Sequence, residues 1–245
     1  MDASLFDLDG VLTETASLHA SAWKTAFDEL LRRRAGTGGS GTGDDSLRPF
    51  DEESDYDDYV DGKPREHGVI DFLASRGIEL AAGSPEDPAG DETVQGVGNA
   101  EDRRFHELLD QRGVEAYPGS VRLVEALRRA GQACAVVSSS RSCRRILEAA
   151  GIAELFDAVV DGTDTDRLGL AGKPDPAAYL EAAGRLGTPP SRSSVFEDAL
   201  VGVEAGAAGG FGVVVGVDRH GEREALAQRG ADIVVSDLSE LVDQE

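Results

Sequence analysis

Short hydrophobic runs alternate with amphipathic segments over the second half of the chain. Five of these runs have the length and composition of buried strands, at residues 133–137, 158–160, 194–196, 212–217 and 233–235. Between them, hydrophobic residues recur at helical spacing, which predicts helices at 121–130, 141–150, 176–186, 201–208 and 222–229. This alternation is typical of a doubly wound, Rossmann-like α/β fold built on a parallel sheet.

The first strand of that sheet is predicted at residues 3–6, far from the others in sequence. The segment that follows it shows helical spacing at 17–34, 69–76 and 101–112, interrupted by polar loops at 36–43 and 82–92. We read the Gly/Ser-rich loop at 36–43 as a surface loop rather than a domain boundary. The sequence therefore predicts a core domain formed by residues 1–13 and 117–245, and a helical cap domain formed by residues 14–116.

The strongly acidic composition of the chain makes some classes of binding partner poor candidates. The net charge is -23, and the only lysines are Lys24, Lys63 and Lys173. So acidic a surface repels nucleic acid and anionic membranes. The chain has neither a long apolar run nor a basic N-terminal region, so we expect a cytoplasmic protein, and the charge favours a monomer. An acid-rich, lysine-poor composition also suggests a halophilic host, because salt screens the repulsion between carboxylates.

The first candidate site follows the first predicted strand directly. Asp7 and Asp9 are two residues apart, and Gly10 permits a sharp turn after them. One carboxylate can attack phosphorus while the other transfers a proton. A solvated turn or a Ca²⁺-type loop is the alternative for this pattern.

Three further clusters fall where strands end or helices begin. Ser138 ends a strand next to a predicted helix, where its hydroxyl can hold a phosphoryl oxygen, although serine is also a common helix cap. Lys173 lies between glycine and proline at a helix entrance, where it can neutralise developing charge. Glu197 and Asp198 end an apolar strand, and Mg²⁺ is a natural partner for two acids so close to a core.

Taken together and in this order, the four clusters resemble the motifs of the haloacid dehalogenase superfamily of phosphotransferases. The resemblance implies that Asp7 forms an aspartyl phosphate, that Asp9 acts as general acid and base, and that Ser138 and Lys173 bind the phosphoryl group. It also implies an Mg²⁺ site formed by Asp7, the backbone carbonyl of Asp9, and Asp198 with Glu197 as its helper.

Details of the predicted cap are similar to the β-phosphoglucomutase-like subfamily. The segment His19-Ala-Ser-Ala-Trp23-Lys24 resembles that subfamily's H-x-x-x-W-K, and the segment Lys63-Pro-Arg65 resembles the loop whose arginine grips the sugar's second phosphate. The run Ser138–Arg141 resembles S-S-S-R/K. The resemblance implies the following substrate-binding residues: His19, Trp23, Lys63, Arg65, Ser139, Ser140 and Arg141.

The sequence departs from the subfamily pattern at two places. The cap's R-K-N run is replaced by Ala100-Glu101-Asp102, which removes a cationic contact, and Ser142 replaces an asparagine. The leading hypothesis is a β-phosphoglucomutase that converts β-glucose 1-phosphate to glucose 6-phosphate. A sugar-phosphate phosphatase and a non-catalytic binding module are the alternatives.

Overall fold

The computed structural model describes residues 1–37, 47–61 and 63–242. In chain order the helices are α1 (Ala16–Thr37), α2 (Ser54–Tyr59), α3 (Arg65–Ser75), α4 (Val94–Arg112), α5 (Pro118–Arg129), α6 (Cys143–Ala149), α7 (Gly162–Leu168), α8 (Ala177–Arg185), α9 (Leu200–Ala208) and α10 (Arg223–Gln228). The strands are β1 (Ala3–Phe6), β2 (Ala133–Val137), β3 (Ala158–Val160), β4 (Ser193–Glu197), β5 (Val213–Val217) and β6 (Ile233–Val235). Short 3₁₀ turns occupy Ala153–Leu155, Pro190–Arg192 and Leu238–Leu241.

The chain divides into two compact units. The core unit consists of Met1–Thr15 and Val114–Glu245, and the cap unit is Ala16–Gly113. The sequence pattern placed these boundaries a few residues nearer to the core motifs, after residue 13 and before residue 117. The difference arises because Thr13 pairs with Ala116 in a β-bridge, while the Glu14 amide donates to the carbonyl of Glu115 at 3.0 Å. Both connecting segments therefore belong to the core unit.

The core unit is built on a parallel sheet with the strand order β3-β2-β1-β4-β5-β6. This topology confirms the predicted doubly wound α/β fold. Adjacent residues on a strand point to opposite faces. On one face, Leu5 and Val195 pack in a cluster with residues of α8 and α9. On the other face, the rings of Phe6 and Phe196 stack with centroids 4.4 Å apart. The two central strands, β1 and β4, are buried along their whole length.

The cap unit has its own hydrophobic core, centred on Phe27 of α1. The rings of Trp23, Phe50 and Phe72 surround Phe27, with centroid separations of 5.0, 5.3 and 4.1 Å. Helices α1 and α4 form the main packing pair of the unit. The Gly/Ser-rich segment predicted at 36–43 lies largely outside the described residues.

Helix α4 begins seven residues earlier than the predicted start at 101, because its first turns contain glycines that disguise the helical pattern. Thr93 caps the helix by accepting a hydrogen bond from the Gly96 amide at 2.9 Å. A Cβ on Gly96 would lie 2.6 Å from the carbonyl oxygen of Asp91, so glycine permits this close approach. No helix among the described residues has the length and hydropathy needed to cross a membrane.

Candidate active site

The carboxyl edge of the sheet brings three of the four predicted clusters together. Phe6 pairs in register with Val136 on one side and Phe196 on the other, so the residues after β1, β2 and β4 emerge at one edge. The Asp7 amide extends this pairing by donating to the Phe196 carbonyl at 2.9 Å. Parallel strands thus explain why motifs so far apart in sequence meet here.

Lys173 joins this edge from the loop before α8. Its Nζ donates to Asp7 Oδ1 at 2.5 Å and also to Glu197 Oε1. Burial raises the pKa of Asp7 well above its usual value, although the charge of Lys173 opposes that shift. Burial lowers the pKa of Lys173, but Asp7 and Glu197 outweigh burial and raise it well above its usual value. The lysine is therefore held as an ammonium ion between two carboxylates.

Glu197 is fully buried and is supported by groups that the sequence did not reveal. Its Oε1 accepts a second hydrogen bond, from the Tyr179 hydroxyl at 2.8 Å, and its Oε2 accepts from the Ala199 amide at 3.1 Å. A Cβ on Gly202 would lie 1.8 Å from Oε1, so the glycine makes room for this carboxylate. These contacts hold the Glu197 carboxylate in place, and that carboxylate in turn accepts a hydrogen bond from Lys173.

Asp7, Glu197 and Asp198 form an acidic cluster that could hold a metal ion, with oxygen atoms all within 4.8 Å of one another. The charges of the cluster suit a divalent cation, because it holds three carboxylates and Lys173 forms ion pairs with two of them, Asp7 and Glu197. Asp198 reaches the cluster because Gly10 adopts a φ of 78° and has no side chain. A Cβ on Gly10 would lie 1.7 Å from Asp198 Oδ2.

The carboxylate of Asp9, the predicted general acid and base, has a hydrogen-bond partner of its own. Its Oδ1 accepts a hydrogen bond from Thr15 Oγ1. Thr15 is the last residue of the core unit's first segment and is buried. The acidic cluster consists of Asp7, Glu197 and Asp198, and the charge of Asp9 contributes to raising the pKa of Asp7. This arrangement suits a group that transfers protons.

Ser138 lies at the same edge, one residue after β2, and is buried. Its Oγ accepts from the Ser140 amide at 3.0 Å, while its own amide donates to the Val160 carbonyl at 3.0 Å. Ser139 is exposed and Ser140 is half-buried. Arg141, predicted to bind phosphate, is half-exposed, and its Nε donates to Asp166 Oδ2 at 2.8 Å.

In the cap unit, Arg65 and His19 share one buried partner, Glu101, which belongs to the segment that departs from the subfamily pattern. Glu101 Oε2 accepts from Arg65 Nε at 2.9 Å, and Glu101 Oε1 lies 3.0 Å from His19 Nδ1. Arg65 also donates to Asp102 Oδ1 at 2.8 Å. Burial raises the pKa of Glu101, but Arg65 and His19 outweigh it, and the pKa falls below its usual value. The imidazole stacks on Phe105 with centroids 4.0 Å apart.

The other two predicted cap residues have separate surroundings. Lys63 donates to Asp71 Oδ2 at 2.8 Å and to the Asp58 carbonyl at 3.2 Å. Trp23 is 5% exposed and belongs to the hydrophobic core of the cap unit. Trp23 therefore contributes to packing, and its role in substrate binding stays a prediction.

Comparison with known proteins decides the family. A sequence model of haloacid dehalogenase-like hydrolases matches residues 1–210. The chain belongs to this family. The resemblance drawn from the four motifs is confirmed.

Within the haloacid dehalogenase-like hydrolases, the chain is similar to both mutases and phosphatases. The β-phosphoglucomutase of Mycobacterium tuberculosis (strain CDC 1551 / Oshkosh) is 49% identical over 243 residues, which are 98% of this chain and 91% of that protein. The validoxylamine A 7'-phosphate phosphatase of Streptomyces hygroscopicus subsp. limoneus is 30% identical, covering 97% of this chain and 94% of that protein. CbbY from Rhodobacter sphaeroides, solved in complex with phosphate, superposes with a TM-score of 0.71 at 25% identity, covering 99% of this chain and 96% of that chain.

Proposed function

We propose that this chain is a β-phosphoglucomutase that converts β-glucose 1-phosphate to glucose 6-phosphate. The observation that carries the proposal is the buried pair of Asp7 and Lys173 beside an acidic cluster. The similarity to the mycobacterial β-phosphoglucomutase over nearly the whole chain supports the choice of substrate.

In the proposed cycle, Asp7 carries a phosphoryl group as an aspartyl phosphate. The 6-hydroxyl of β-glucose 1-phosphate attacks this phosphorus, the bond to Asp7 breaks, and Asp9 accepts the hydroxyl proton. The resulting glucose 1,6-bisphosphate reorients. Asp7 then attacks the 1-phosphoryl group, Asp9 returns the proton to the departing sugar oxygen, and glucose 6-phosphate leaves. Lys173 and Ser138 bind the transferring phosphoryl oxygens.

The site is proposed to bind Mg²⁺ through the carboxylates of Asp7 and Asp198 and the main-chain carbonyl of Asp9. When bound, Mg²⁺ would neutralise the nucleophile and the phosphoryl oxygens, so that two anions can meet. Glu197 accepts hydrogen bonds on both oxygens from Lys173, Tyr179 and Ala199. We therefore propose that Glu197 orients the lysine and that its part in metal binding is indirect.

Substrate contacts are proposed for the serine loop in the core unit and for a set of cap-unit side chains. In the core unit these are Ser139, Ser140 and Arg141. In the cap unit these are His19, Lys63 and Arg65. The expectations of a monomer in the cytoplasm of a halophilic host stay predictions.

A sugar-phosphate phosphatase is the second candidate, and one observation favours it. The Nε and Nη2 atoms of Arg65 are hydrogen-bonded to the carboxylates of Glu101 and Asp102. A guanidinium already paired with two anions is a weaker binding site for a second phosphate. A phosphatase needs no grip on a second phosphate, because water accepts the phosphoryl group from Asp7.

A product assay distinguishes the two functions. The enzyme is incubated with Mg²⁺, β-glucose 1-phosphate and a trace of glucose 1,6-bisphosphate, and both glucose 6-phosphate and inorganic phosphate are measured. Glucose 6-phosphate without matching inorganic phosphate supports the mutase, whereas inorganic phosphate as the main product supports the phosphatase. Asp7→Asn is expected to abolish both reactions with an unchanged circular dichroism spectrum. Asp2→Asn, which alters a surface ion pair with Arg192, is the matched control.

A further inference from the structure

Arg219, two residues after β5, contacts the loop that carries Asp7 and Asp9. Its Nε donates to the Gly10 carbonyl at 2.7 Å. Its Nη1 donates to the Ser236 carbonyl at 3.3 Å and lies 3.7 Å from Asp237 Oδ2. The third nitrogen, Nη2, is buried and has no hydrogen-bond partner within the described residues. No motif in the sequence marks this arginine.

The guanidinium of Arg219 lies over the ring of Tyr117. Arg219 Cζ lies 3.9 Å from the centroid of the Tyr117 ring, which is the geometry of a cation–π contact. The Tyr117 amide donates to the Leu12 carbonyl at 2.9 Å, so the tyrosine is itself tied to the same loop. A planar guanidinium held against a ring directs its N–H groups more strictly than a flexible ammonium would.

Gly10 is the residue through which this contact reaches the acidic cluster. Its φ of 78° is a conformation that residues with side chains rarely adopt, and its amide donates to the Thr13 carbonyl at 2.9 Å. The carboxylate of Asp198 lies so close to Gly10 that a Cβ would overlap it. A change in the main-chain angles of Gly10 would therefore alter the turn that follows Asp9 and displace the carboxylate of Asp198.

We propose that Arg219 is a positioning residue for the phosphoryl-transfer site. By holding the Gly10 carbonyl, it fixes the turn that sets Asp9 in place and lets Asp198 approach Asp7. The proposal rests on the proposed phosphoryl-transfer function, but it does not depend on which sugar phosphate is the substrate. Arg219 acts through the loop main chain and is not assigned a contact with substrate.

The test compares Arg219→Gln and Arg219→Lys with Arg223→Gln. Arg223 is an exposed arginine on α10 that also donates to a main-chain carbonyl, that of Val234 at 2.5 Å, so it is a matched control. Three quantities are measured: hydrolysis of p-nitrophenyl phosphate in Mg²⁺, the dissociation constant of Mg²⁺ by calorimetry, and the thermal midpoint. The artificial substrate keeps the test independent of the natural sugar phosphate.

We expect Arg219→Gln to lower kcat by about 100-fold while KM changes by less than about threefold, because a small displacement of reacting groups costs rate rather than substrate binding. Mg²⁺ should bind about tenfold more weakly, as expected when a residue that orients ligands is lost. Arg219→Lys keeps the charge without the planar fork, so it should lose most of the same rate, while Arg223→Gln keeps wild-type values.

Three results would overturn the proposal. The first is an Arg219→Gln enzyme with wild-type kcat and Mg²⁺ affinity. The second is full activity in Arg219→Lys, which would mean that charge alone matters. The third is a loss of kcat that disappears when the variants are compared at equal distance below their thermal midpoints, which would mean that Arg219 only stabilises the fold. If the wild type hydrolyses p-nitrophenyl phosphate but leaves β-glucose 1-phosphate unchanged, the proposed substrate fails while the Arg219 proposal is still tested.

Discussion

Replacing Tyr179 by phenylalanine isolates one hydrogen bond in the support of Lys173. The tyrosine is fully buried in α8, and its hydroxyl donates to Glu197 Oε1 at 2.8 Å. Phenylalanine keeps the ring and its packing against Phe211, so the change opens almost no cavity. The variant loses one hydrogen bond to the buried carboxylate of Glu197, which still accepts from Lys173 and the Ala199 amide.

The expected loss of stability follows from the number of hydrogen bonds that Glu197 loses and keeps. A hydrogen bond to a charged group contributes about 1.5–3 kcal/mol to stability. Lys173 and the Ala199 amide remain bonded to the Glu197 carboxylate, which places the expected loss near the middle of that range, at about 2 kcal/mol. For a protein of this size, each kcal/mol lowers the thermal midpoint by about 2–4 °C, so we expect a fall of about 4–8 °C.

Urea unfolding followed by far-ultraviolet circular dichroism, together with calorimetry, measures this loss. Tyr59→Phe is the control, since the hydroxyl of Tyr59 has no hydrogen-bond partner in the described part of the chain and its ring packs against the hydrophobic core of the cap unit, including Phe72. A free energy of unfolding for Tyr179→Phe within about 0.5 kcal/mol of the control would refute the reasoning. It would mean that Glu197 does not depend on the tyrosine hydroxyl.

Three further predictions concern charge. Glu101→Gln removes one of the two carboxylates that pair with the buried Arg65, so it should destabilise the cap unit by about 3 kcal/mol. Urea unfolding followed by the fluorescence of Trp23 measures this loss, and Glu107→Gln on the same helix should be near neutral. A hydrogen bond from Arg185 lowers the pKa of Asp164 in the folded protein. The ionised carboxylate therefore stabilises the fold above its unfolded pKa of about 4, and this stabilisation is lost as the pH falls. Asp164→Asn should lose less stability than the wild type between about pH 5 and pH 3, and equal losses would contradict this. The net charge of -23 predicts that the thermal midpoint rises between low salt and about 2 M KCl, and a flat response would contradict the halophilic hypothesis.

The sequence was sufficient to place the principal acidic groups and Ser138 at one edge of the sheet. Asp7, Ser138 and Asp198 each follow the end of a short apolar run, and in a parallel sheet such ends share an edge. Lys173 could be added because lysines are so rare in this chain. Periodicity and strand order therefore carry most of the information about which groups meet.

The supporting residues could not be predicted in the same way, because their roles depend on tertiary contacts. Tyr179 has the sequence context of an ordinary buried helix residue, and only the fold brings its hydroxyl to Glu197. Arg219 lies in a polar stretch after β5, where an arginine without a motif reads as surface charge. Likewise, the substitution at Glu101 was visible as a departure, but its pairing with Arg65 and His19 required the packing of three helices.

The neighbouring acids Glu197 and Asp198 take different roles because of where β4 ends. Glu197 is the last residue of the strand, and its side chain is directed to the face covered by α8, where Tyr179 lies. Asp198 is one residue further, beyond the strand, and its carboxylate lies against Gly10 at the edge of the sheet. Each acid occupies a space that a glycine leaves open, Gly202 for Glu197 and Gly10 for Asp198. The two adjacent carboxylates therefore have different surroundings: Glu197 accepts a hydrogen bond from Lys173, whereas Asp198 lies against Gly10.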